Sequence, residues 1–238
     1  MKKHIGIFVP FHLRGGDGDN MAANFALLND LPYDVVVGGS EGDHSAAFAA
    51  RYPNLIYREI PQKTITKNSG GDDELRRKFN NTLAALMDHG KYHWYCFVGA
   101  NDIVCYSFWR WLETEGTDYP AFFGIQSDQP IYMHSTKTGE TVALELKYKE
   151  KVRLIPGVNA FNHTALAMCD NRPYQLPGDE IGAERLGEHL GWIVEGCPGW
   201  VCAVKGSTDL NKYDDVKRTS KHRPLTKTEQ IILKQYGI

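Results

Sequence analysis

The chain has 238 residues, of which 42% are hydrophobic and 24% are charged, and its formal net charge is −2. This balance is typical of a globular protein with a sizeable core, and the near-neutral charge excludes a global attraction to nucleic acid or anionic membranes. No apolar run approaches the about 18 residues of a membrane span, and the five cysteines form no C-x-x-C pair, so we expect a cytoplasmic protein with buried free thiols.

The N-terminal half alternates strand and helix patterns at the spacing of βαβ units. Buried strands are predicted at residues 5–9, 33–37 and 55–60, with helices at 20–30 and 45–51 between them. Continuous apolar strands separated by helices imply a mostly parallel sheet that helices cover on both faces.

A polar segment then separates two helical patterns. Residues 61–73 are rich in Lys, Thr, Ser and Gly and are predicted to form a mobile surface loop. Residues 74–89 carry apolar side chains at helical spacing, namely Leu75, Phe79, Leu83 and Leu86. A strand ending at Val98 and an aromatic helix at 106–113 follow.

The pattern changes after Tyr119. Antiparallel strands are predicted at 121–126, 131–134 and 141–147, a loop-like stretch at 155–163, a helix at 179–190, strands at 192–194 and 201–205, and a small helix at 228–236. Neither a repeat nor a linker is apparent. We therefore expect one domain over residues 1–211, with a basic C-terminal tail at 212–238 that is part of it or extends to contact an acceptor.

Polar residues cluster at three predicted strand ends, in residues 10–14, 40–43 and 101–102. In an open parallel sheet, ligands bind beyond the carboxyl ends of the strands, so the three clusters should share one rim. A carboxylate there, Asp102, could hold a divalent cation that bridges phosphate oxygens. The alternative for Asp102 is a helix cap or a turn residue.

The order of the motifs resembles the inverting nucleotide-sugar glycosyltransferases of the GT-A fold. Val37-Gly-Gly-Ser-Glu-Gly-Asp43, Phe79-Asn-Asn-Thr-Leu83 and Gly99-Ala-Asn-Asp102 stand where that family commonly has V-D-D-G-S-x-D, A-R-N-x-G-hydrophobic and D-x-D-D. The resemblance covers about residues 5–102 and resumes near Pro177. It implies an α/β, GT-A-like (Rossmann-like) fold, a mostly parallel sheet with helices on both faces and an antiparallel C-terminal part.

The same resemblance implies a nucleotide-sugar donor site. Its candidate residues are Pro10, His12, Arg14, Ser40, Glu41, Asp43, Arg77, Asn80, Asn101 and Lys205, with Asp102 as the metal ligand. Glycine replaces the first acid of two motifs, so we expect Mg²⁺ or Mn²⁺ to bind weakly unless the nucleotide's phosphates complete its shell. A metal-independent site stays open, in which Arg76, Arg77 and Lys78 neutralise the diphosphate; the alternative for these three is a solvated helix face.

Residues 176–185 resemble the family's catalytic-base stretch, in which a paired acid begins a helix after a turn. Inverting transfer needs a carboxylate that removes the proton of the acceptor hydroxyl as that oxygen attacks the anomeric carbon. Asp179 is the predicted base and Glu180 the second choice. The alternative is an acid that stabilises its own helix dipole.

The acceptor and the reaction class have more than one interpretation. The tail is basic, with Lys212, Lys217, Arg218, Lys221, Arg223, Lys227 and Lys234 against Asp214, Asp215 and Glu229, so it is either a phosphate-binding surface or a solvated terminus. By analogy with small phage enzymes that glycosylate hydroxymethylated bases, DNA is a candidate acceptor, which would place the protein in the host cytoplasm.

Two rival functions stay open. One is a sugar-1-phosphate nucleotidylyltransferase, and the lack of a G-x-G-x-R-L pattern after the first strand argues against it. The other is a non-catalytic nucleotide or sugar binding module.

Overall fold

Two β-sheets and the helices packed on them make up the part of the chain that a computed structural model describes, residues 3–61, 71–145, 154–176, 179–206 and 213–238. The strands are β1 (Lys3–Pro10), β2 (Asp34–Gly39), β3 (Leu55–Glu59), β4 (Tyr92–Val98), β5 (Asp102–Val104), β6 (Ala121–Gln126), β7 (Ile131–Ser135), β8 (Thr141–Leu144), β9 (Leu154–Asn162), β10 (Ile193–Cys197), β11 (Val201–Lys205) and β12 (His222–Pro224). The helices are α1 (Asp19–Asn29), α2 (Asp43–Ala49), α3 (Gly71–His89), α4 (Tyr106–Thr114), α5 (His163–Ala167), α6 (Asp179–Leu190), α7 (Tyr213–Thr219) and α8 (Lys227–Lys234).

The larger sheet has seven strands in the order β10-β6-β9-β4-β1-β2-β3, and every neighbouring pair is parallel except the two that involve β9. Its central strands are apolar along their whole length because both faces are covered. Ile7 and Val9 of β1 belong to one buried cluster, whereas Phe8 of the same strand packs in a second cluster on the opposite face. The predicted mostly parallel α/β sheet with helices on both faces is confirmed.

The loop-like interpretation of residues 155–163 is wrong, because Leu154–Asn162 is strand β9 in the middle of the larger sheet. It lies antiparallel between β4 and β6. Gly157 and two asparagines, Asn159 and Asn162, are typical of turns and obscured the strand in the sequence. Hydrogen bonding to a strand on each side overrides that local preference.

Smaller differences concern element ends. Helix α3 begins at Gly71 rather than at residue 74, and residues 62–70 of the predicted mobile loop lie outside the described residues. Strand β8 ends at Leu144, and residues 146–147 of the predicted strand also lie outside. The short elements β5, α5, α7 and β12 were not expected from the sequence.

The smaller sheet has the strand order β12-β8-β7-β11-β5 and carries the C-terminal segment. Strands β7 and β8 form the predicted antiparallel pair, whereas β7 and β11 are parallel. Leu233 and Tyr236 are buried against one face of this sheet, where they pack with Ile103, Tyr132 and Cys202. Residues of α7 pack on the other face, since Tyr213 and Val216 contact the cluster of Met133 and Val142.

Two further predictions concern membrane-spanning helices and the state of the cysteines. Within the ranges given above, no helix combines the length and the apolar character required to cross a bilayer. All five cysteines are buried and free, as expected.

Asn162 joins β9 to the rest of the larger sheet, and this gives a test of the fold. Its fully buried side chain accepts hydrogen bonds from the amides of Ala165 (2.9 Å) and Ala121 (3.1 Å) and donates to the carbonyl oxygens of Thr117 (3.1 Å) and Tyr119 (2.6 Å). Asn162→Ala should lower the free energy of unfolding by about 3–5 kcal/mol in urea titrations, because several buried polar groups lose their partners. The exposed Asn81→Ala is the control, and equal losses in the two variants would contradict the assignment.

Candidate functional site

Three adjacent parallel strands of the larger sheet, β4, β1 and β2, end at one rim. The chain continues beyond each of them into polar residues. His12 and Arg14 follow β1, Ser40 and Glu41 follow β2, and Asp102 lies four residues beyond the end of β4. The rim predicted from the three polar clusters therefore exists in the fold.

A buried lysine connects two of these strand ends. Lys78 of α3 is 2% exposed, and its Nζ donates hydrogen bonds to the carbonyl oxygen of Phe11 and to Ser40 Oγ (2.7 Å). Burial lowers the pKa of Lys78 to about 7, partly offset by the negative charges of Glu41 and Glu59, while the Arg14 charge lowers it further. This amine is therefore near its titration point at neutral pH.

Ser40 is the centre of the hydrogen-bond cluster formed by Lys78, Ser40, His12 and Glu41, which we call the rim cluster. Besides its bond to Lys78, Ser40 Oγ lies 2.9 Å from Nδ1 of His12, and that nitrogen lies 3.4 Å from Oε2 of Glu41. Burial is the main cause that lowers the pKa of His12, and the Lys78 and Arg14 charges add to it, whereas the Glu41 charge opposes it. A neutral His12 can accept a hydrogen bond from the Ser40 hydroxyl at Nδ1, while the hydroxyl oxygen accepts one from Lys78 Nζ.

The Glu41 carboxylate organises the loop after β1. It accepts hydrogen bonds from the backbone amides of Leu13 and Gly15, the latter at 3.0 Å. Arg14 and Gly15 both have positive φ, 56° and 72°, so the loop folds its N–H groups around the carboxylate. Such concave runs of amides bind anions. Here they bind an anion that belongs to the protein itself.

Asp102 is held against glycines at two strand ends. An ideal Cβ on Gly99, just after β4, would overlap Oδ2 of Asp102, and one on Gly157 of β9 would lie 2.8 Å from the same oxygen. The Gly99 amide donates to the Gly157 carbonyl oxygen at 2.8 Å, which joins the two strands at this point. The half-buried Asp102 carboxylate therefore occupies space that a side chain at residue 99 would fill.

Asp102 and the rim cluster lie on the same face of the larger sheet. Phe8 of β1 and Phe97 of β4 point to the face that α3 covers, with ring centroids 5.8 Å apart, and Phe97 packs on Phe79 of α3 at 4.7 Å. Side chains alternate along a strand, so Gly99, two residues after Phe97, is on this face together with Asp102. Lys78 reaches the rim from α3 above the same face.

Several predicted site residues use their polar groups within the fold. Asn80 Nδ2 donates to the carbonyl oxygen of Tyr174 (3.0 Å), and its Oδ1 accepts from the amide of the same residue (3.3 Å). Asn101 Nδ2 donates to the Val204 carbonyl oxygen at 2.8 Å. Arg77 is exposed and forms an ion pair with Glu74 at 2.6 Å.

The other predicted residues are dispersed around the rim or outside the described side chains. Pro10 is buried at the end of β1, Arg14 is exposed, Asp43 is exposed at the start of α2, and Lys205 is half-buried at the end of β11. Helix α6 begins at Asp179, as predicted. The side chains of Asp179 and Glu180 lie outside the described part, so their roles as base stay predictions.

The donor set around Asp102 limits what metal this rim can hold. No group of three or more His, Cys, Asp and Glu side chains suited to a metal ion occurs among the described residues. Mg²⁺ is commonly bound by one or two carboxylates together with substrate phosphates and water. One carboxylate therefore fits a Mg²⁺ ion that arrives with a diphosphate, and does not fit a cation bound by protein ligands alone.

Lys78 is the basic residue of α3 that lies at the rim, whereas the sequence favoured its neighbour Arg77. The signal for Lys78 is its position on α3, three residues after Leu75 and four before Thr82, which places it within the inward-facing stripe. A lysine inside an apolar stripe is almost never buried without a partner. Its partners, Phe11 and Ser40, are 67 and 38 residues away in sequence.

Comparison with solved structures supports the fold. No known family profile and no curated protein matches the chain. The inositol-1-phosphate CTP transferase from T. maritima has a TM-score of 0.55 at 9% identity, covering 99% of this chain and 97% of that one. The 4-diphosphocytidyl-2C-methyl-D-erythritolsynthase from Anaerococcus prevotii has a TM-score of 0.52 at 11% identity, covering 90% and 95%.

These identities establish a shared fold and nothing beyond it. A crystal structure of part of S. aureus TarS also matches, at a TM-score of 0.47 and 14% identity over 86% of this chain. The chain spans 60% of the length of that structure. At this TM-score the likeness carries no structural conclusion.

The lowered pKa of Lys78 predicts a pH dependence of stability. Between a folded pKa of about 7 and the ordinary value of 10.5, the unfolded state binds more protons, so the free energy of unfolding of the wild type should rise with pH. Lys78→Met removes this titration. The stability difference between wild type and Lys78→Met should therefore grow by up to about 1.4 kcal/mol per pH unit from pH 7 to pH 9.

Urea titrations at several pH values measure this difference. Lys91→Met, which removes an exposed lysine, is the control and should follow the wild-type profile. Parallel profiles for wild type and Lys78→Met would show that Lys78 does not titrate in this range.

Proposed function

We propose that the protein is a glycosyltransferase that moves a sugar from a nucleotide-sugar donor to an acceptor hydroxyl with inversion at the anomeric carbon. The observation that carries this proposal is the presence of a buried cation, Lys78, and a carboxylate, Asp102, on one face of the sheet beside the ends of adjacent parallel strands. Ligands of open α/β sheets bind at this position. A diphosphate there would meet the positive charge at one strand end and any cation held by Asp102 at the next.

The loop after β1 favours a sugar transferase over a nucleotidylyltransferase. A nucleotidylyltransferase has to hold a nucleoside triphosphate, and a glycine-rich loop after the first strand would supply backbone amides for it. In this chain the amides of Leu13 and Gly15 are bonded to Glu41. A triphosphate would have to displace a carboxylate from that loop.

A nucleotidylyltransferase is nevertheless the second candidate. The structures from T. maritima and A. prevotii share the fold over nearly the whole chain, and they are described as a CTP transferase and a diphosphocytidyl-methylerythritol synthase. The two reactions differ in their products. A glycosyltransferase releases a nucleoside diphosphate from a sugar nucleotide, a nucleotidylyltransferase releases pyrophosphate from a nucleoside triphosphate, and a non-catalytic binding module releases neither.

The transfer step assigns a role to the start of α6. The acceptor oxygen attacks the anomeric carbon, the bond from that carbon to the diphosphate oxygen breaks, and the hydroxyl proton passes to a carboxylate. We propose Asp179 as this base, with Glu180 as the second choice, because α6 packs on β9, whose Gly157 adjoins Asp102. When bound, Mg²⁺ or Mn²⁺ would neutralise charge on the leaving diphosphate.

The acceptor proposal is a hydroxymethylated base in DNA, which would place the enzyme in the host cytoplasm if a phage encodes it. Its support is the charge of the C-terminal segment. Residues 213–238 contain six Lys and Arg residues and three Asp and Glu residues. A hydroxymethyl group supplies a primary hydroxyl that a carboxylate can deprotonate, and an unmodified base lacks one.

The donor proposal is tested by binding. Calorimetry with UDP-, GDP-, TDP- and CMP-sugars, with and without Mn²⁺, should identify a donor whose affinity rises with the cation. Asp102→Asn should abolish that cation effect while it keeps most of the metal-free affinity, because the amide has the same shape as the carboxylate but binds the cation more weakly. Binding of nucleoside triphosphates alone, with pyrophosphate release, would favour the second candidate.

The base assignment is tested by turnover. Asp179→Asn should leave donor affinity nearly unchanged and lower the transfer rate by about 10²- to 10⁴-fold, as expected for a lost general base. Glu180→Gln is the matched control and should retain most of the rate. A wild-type rate in Asp179→Asn would refute the assignment. Single-stranded and duplex DNA, each with and without hydroxymethylated bases, are compared with a saccharide to test the acceptor.

A further inference from the structure

An open groove of about 600 Å³ lies at the edge of the smaller sheet, far from the rim cluster in sequence. Its apolar floor is formed by Pro224 of β12 with Leu225 and Ile238, and its sides carry Lys217 of α7 and Lys234 of α8, which come from opposite faces of the smaller sheet. A groove of this size accommodates a small ligand or one segment of a polymer. It contains none of the residues proposed for the donor.

The register of the smaller sheet connects this groove to Asp102. Asp102 of β5 pairs with Ala203, Ala203 with Met133, Met133 with Val142, and Val142 with Pro224 of β12. Neighbouring strands are about 4.8 Å apart, so four steps place the groove about 19 Å from Asp102. Paired residues point to the same face, which is the face on which Tyr213 of α7 packs against Met133 and Val142.

Another cationic side chain, that of Lys205, lies beside this row of paired residues. Lys205 is two residues after Ala203 on β11 and so points to the same face as Asp102. Lys205 pairs with Ser135, whose amide is bonded to the carbonyl oxygen of Glu140 at the groove. The face therefore carries Lys205 between Asp102 and the groove, and Lys217 in the groove itself.

One ion pair neutralises part of the positive charge of the groove. Lys217 Nζ lies 2.6 Å from Oε1 of Glu140. Elsewhere in the segment Arg218 pairs with Asp215 and Arg223 with Glu229. Lys234 has no acidic partner among the described residues. An arriving anion would thus meet Lys234 directly and compete with Glu140 for Lys217.

We infer that this groove binds the phosphodiester backbone of a nucleic-acid acceptor, about 19 Å from Asp102. The inference rests on the proposed function and names where its acceptor is held. Cationic sides and an apolar floor match a nucleotide, which presents a phosphate on one side and an apolar base face on the other. Glu140 weakens this binding because its carboxylate forms an ion pair with Lys217.

The two members of the ion pair give a test that a structural role would not pass. Lys217→Gln and Glu140→Gln both remove the same ion pair, so a purely structural pair would respond to both in the same direction. If the groove binds phosphates, Lys217→Gln should weaken binding of a fluorescein-labelled single-stranded DNA by about 3- to 10-fold at low salt, and Glu140→Gln should strengthen it by a similar factor. Lys234→Gln should weaken it, and the exposed Lys227→Gln, outside the groove lining, should have little effect.

Fluorescence anisotropy at several NaCl concentrations supplies the measurement. The slope of log K against log salt should fall by about 0.7 for each lysine–phosphate interaction that Lys217→Gln or Lys234→Gln removes. Any of three results would overturn the inference: no DNA binding by the wild type, shifts of the same sign in Lys217→Gln and Glu140→Gln, or equally tight binding of poly-glutamate. Donor calorimetry on the same protein separates the two proposals, since intact donor binding with a negative DNA result refutes the groove alone.

Discussion

The buried amine of Lys78 holds the site together, because it is bonded to the carbonyl oxygen of Phe11 beyond β1 and to Ser40 beyond β2. The cost of burying this cation is offset only while both partners and the nearby carboxylates stay in place. Glu41, next to Ser40, then fixes the loop after β1 through two backbone amides. The geometry of the rim therefore depends on one interaction between α3 and two strand ends.

Most of the larger sheet could be predicted from the sequence because its strands are short apolar runs bounded by glycine and polar residues. Strand β9 could not, since its proline, glycine and asparagines resemble a loop and its strand character comes from pairing with β4 and β6. The same limit applies within the site. Asn80 and Asn101 have the chemistry of ligand-binding residues, but each bonds to backbone 94 or 103 residues away, which no local pattern reveals.

The glycines that interrupt the glycosyltransferase-like motifs have steric explanations in this fold. A Cβ on Gly38 would overlap Oγ1 of Thr82, so glycine lets α3 pack directly on the end of β2. A Cβ on Gly99 would overlap the Asp102 carboxylate. The close approach of α3 is also what brings Lys78 to Ser40. Glycine at these positions and the buried cation are thus two consequences of the same packing.

This exchange changes the electrostatics that a diphosphate would meet. Two additional carboxylates at residues 38 and 99 would repel the phosphates unless a cation neutralised them, which makes a metal obligatory. With glycine at both positions, Glu41 of the rim cluster is bonded to backbone amides, while Lys78 supplies positive charge. Because the Lys78 pKa is about 7, that charge weakens as the pH rises, so the contribution of the divalent cation to donor affinity should be larger at pH 8.5 than at pH 6. Calorimetry of the donor at both pH values, with and without Mn²⁺, measures this contribution, and an equal cation effect at the two values would show that Lys78 and the metal do not share the task.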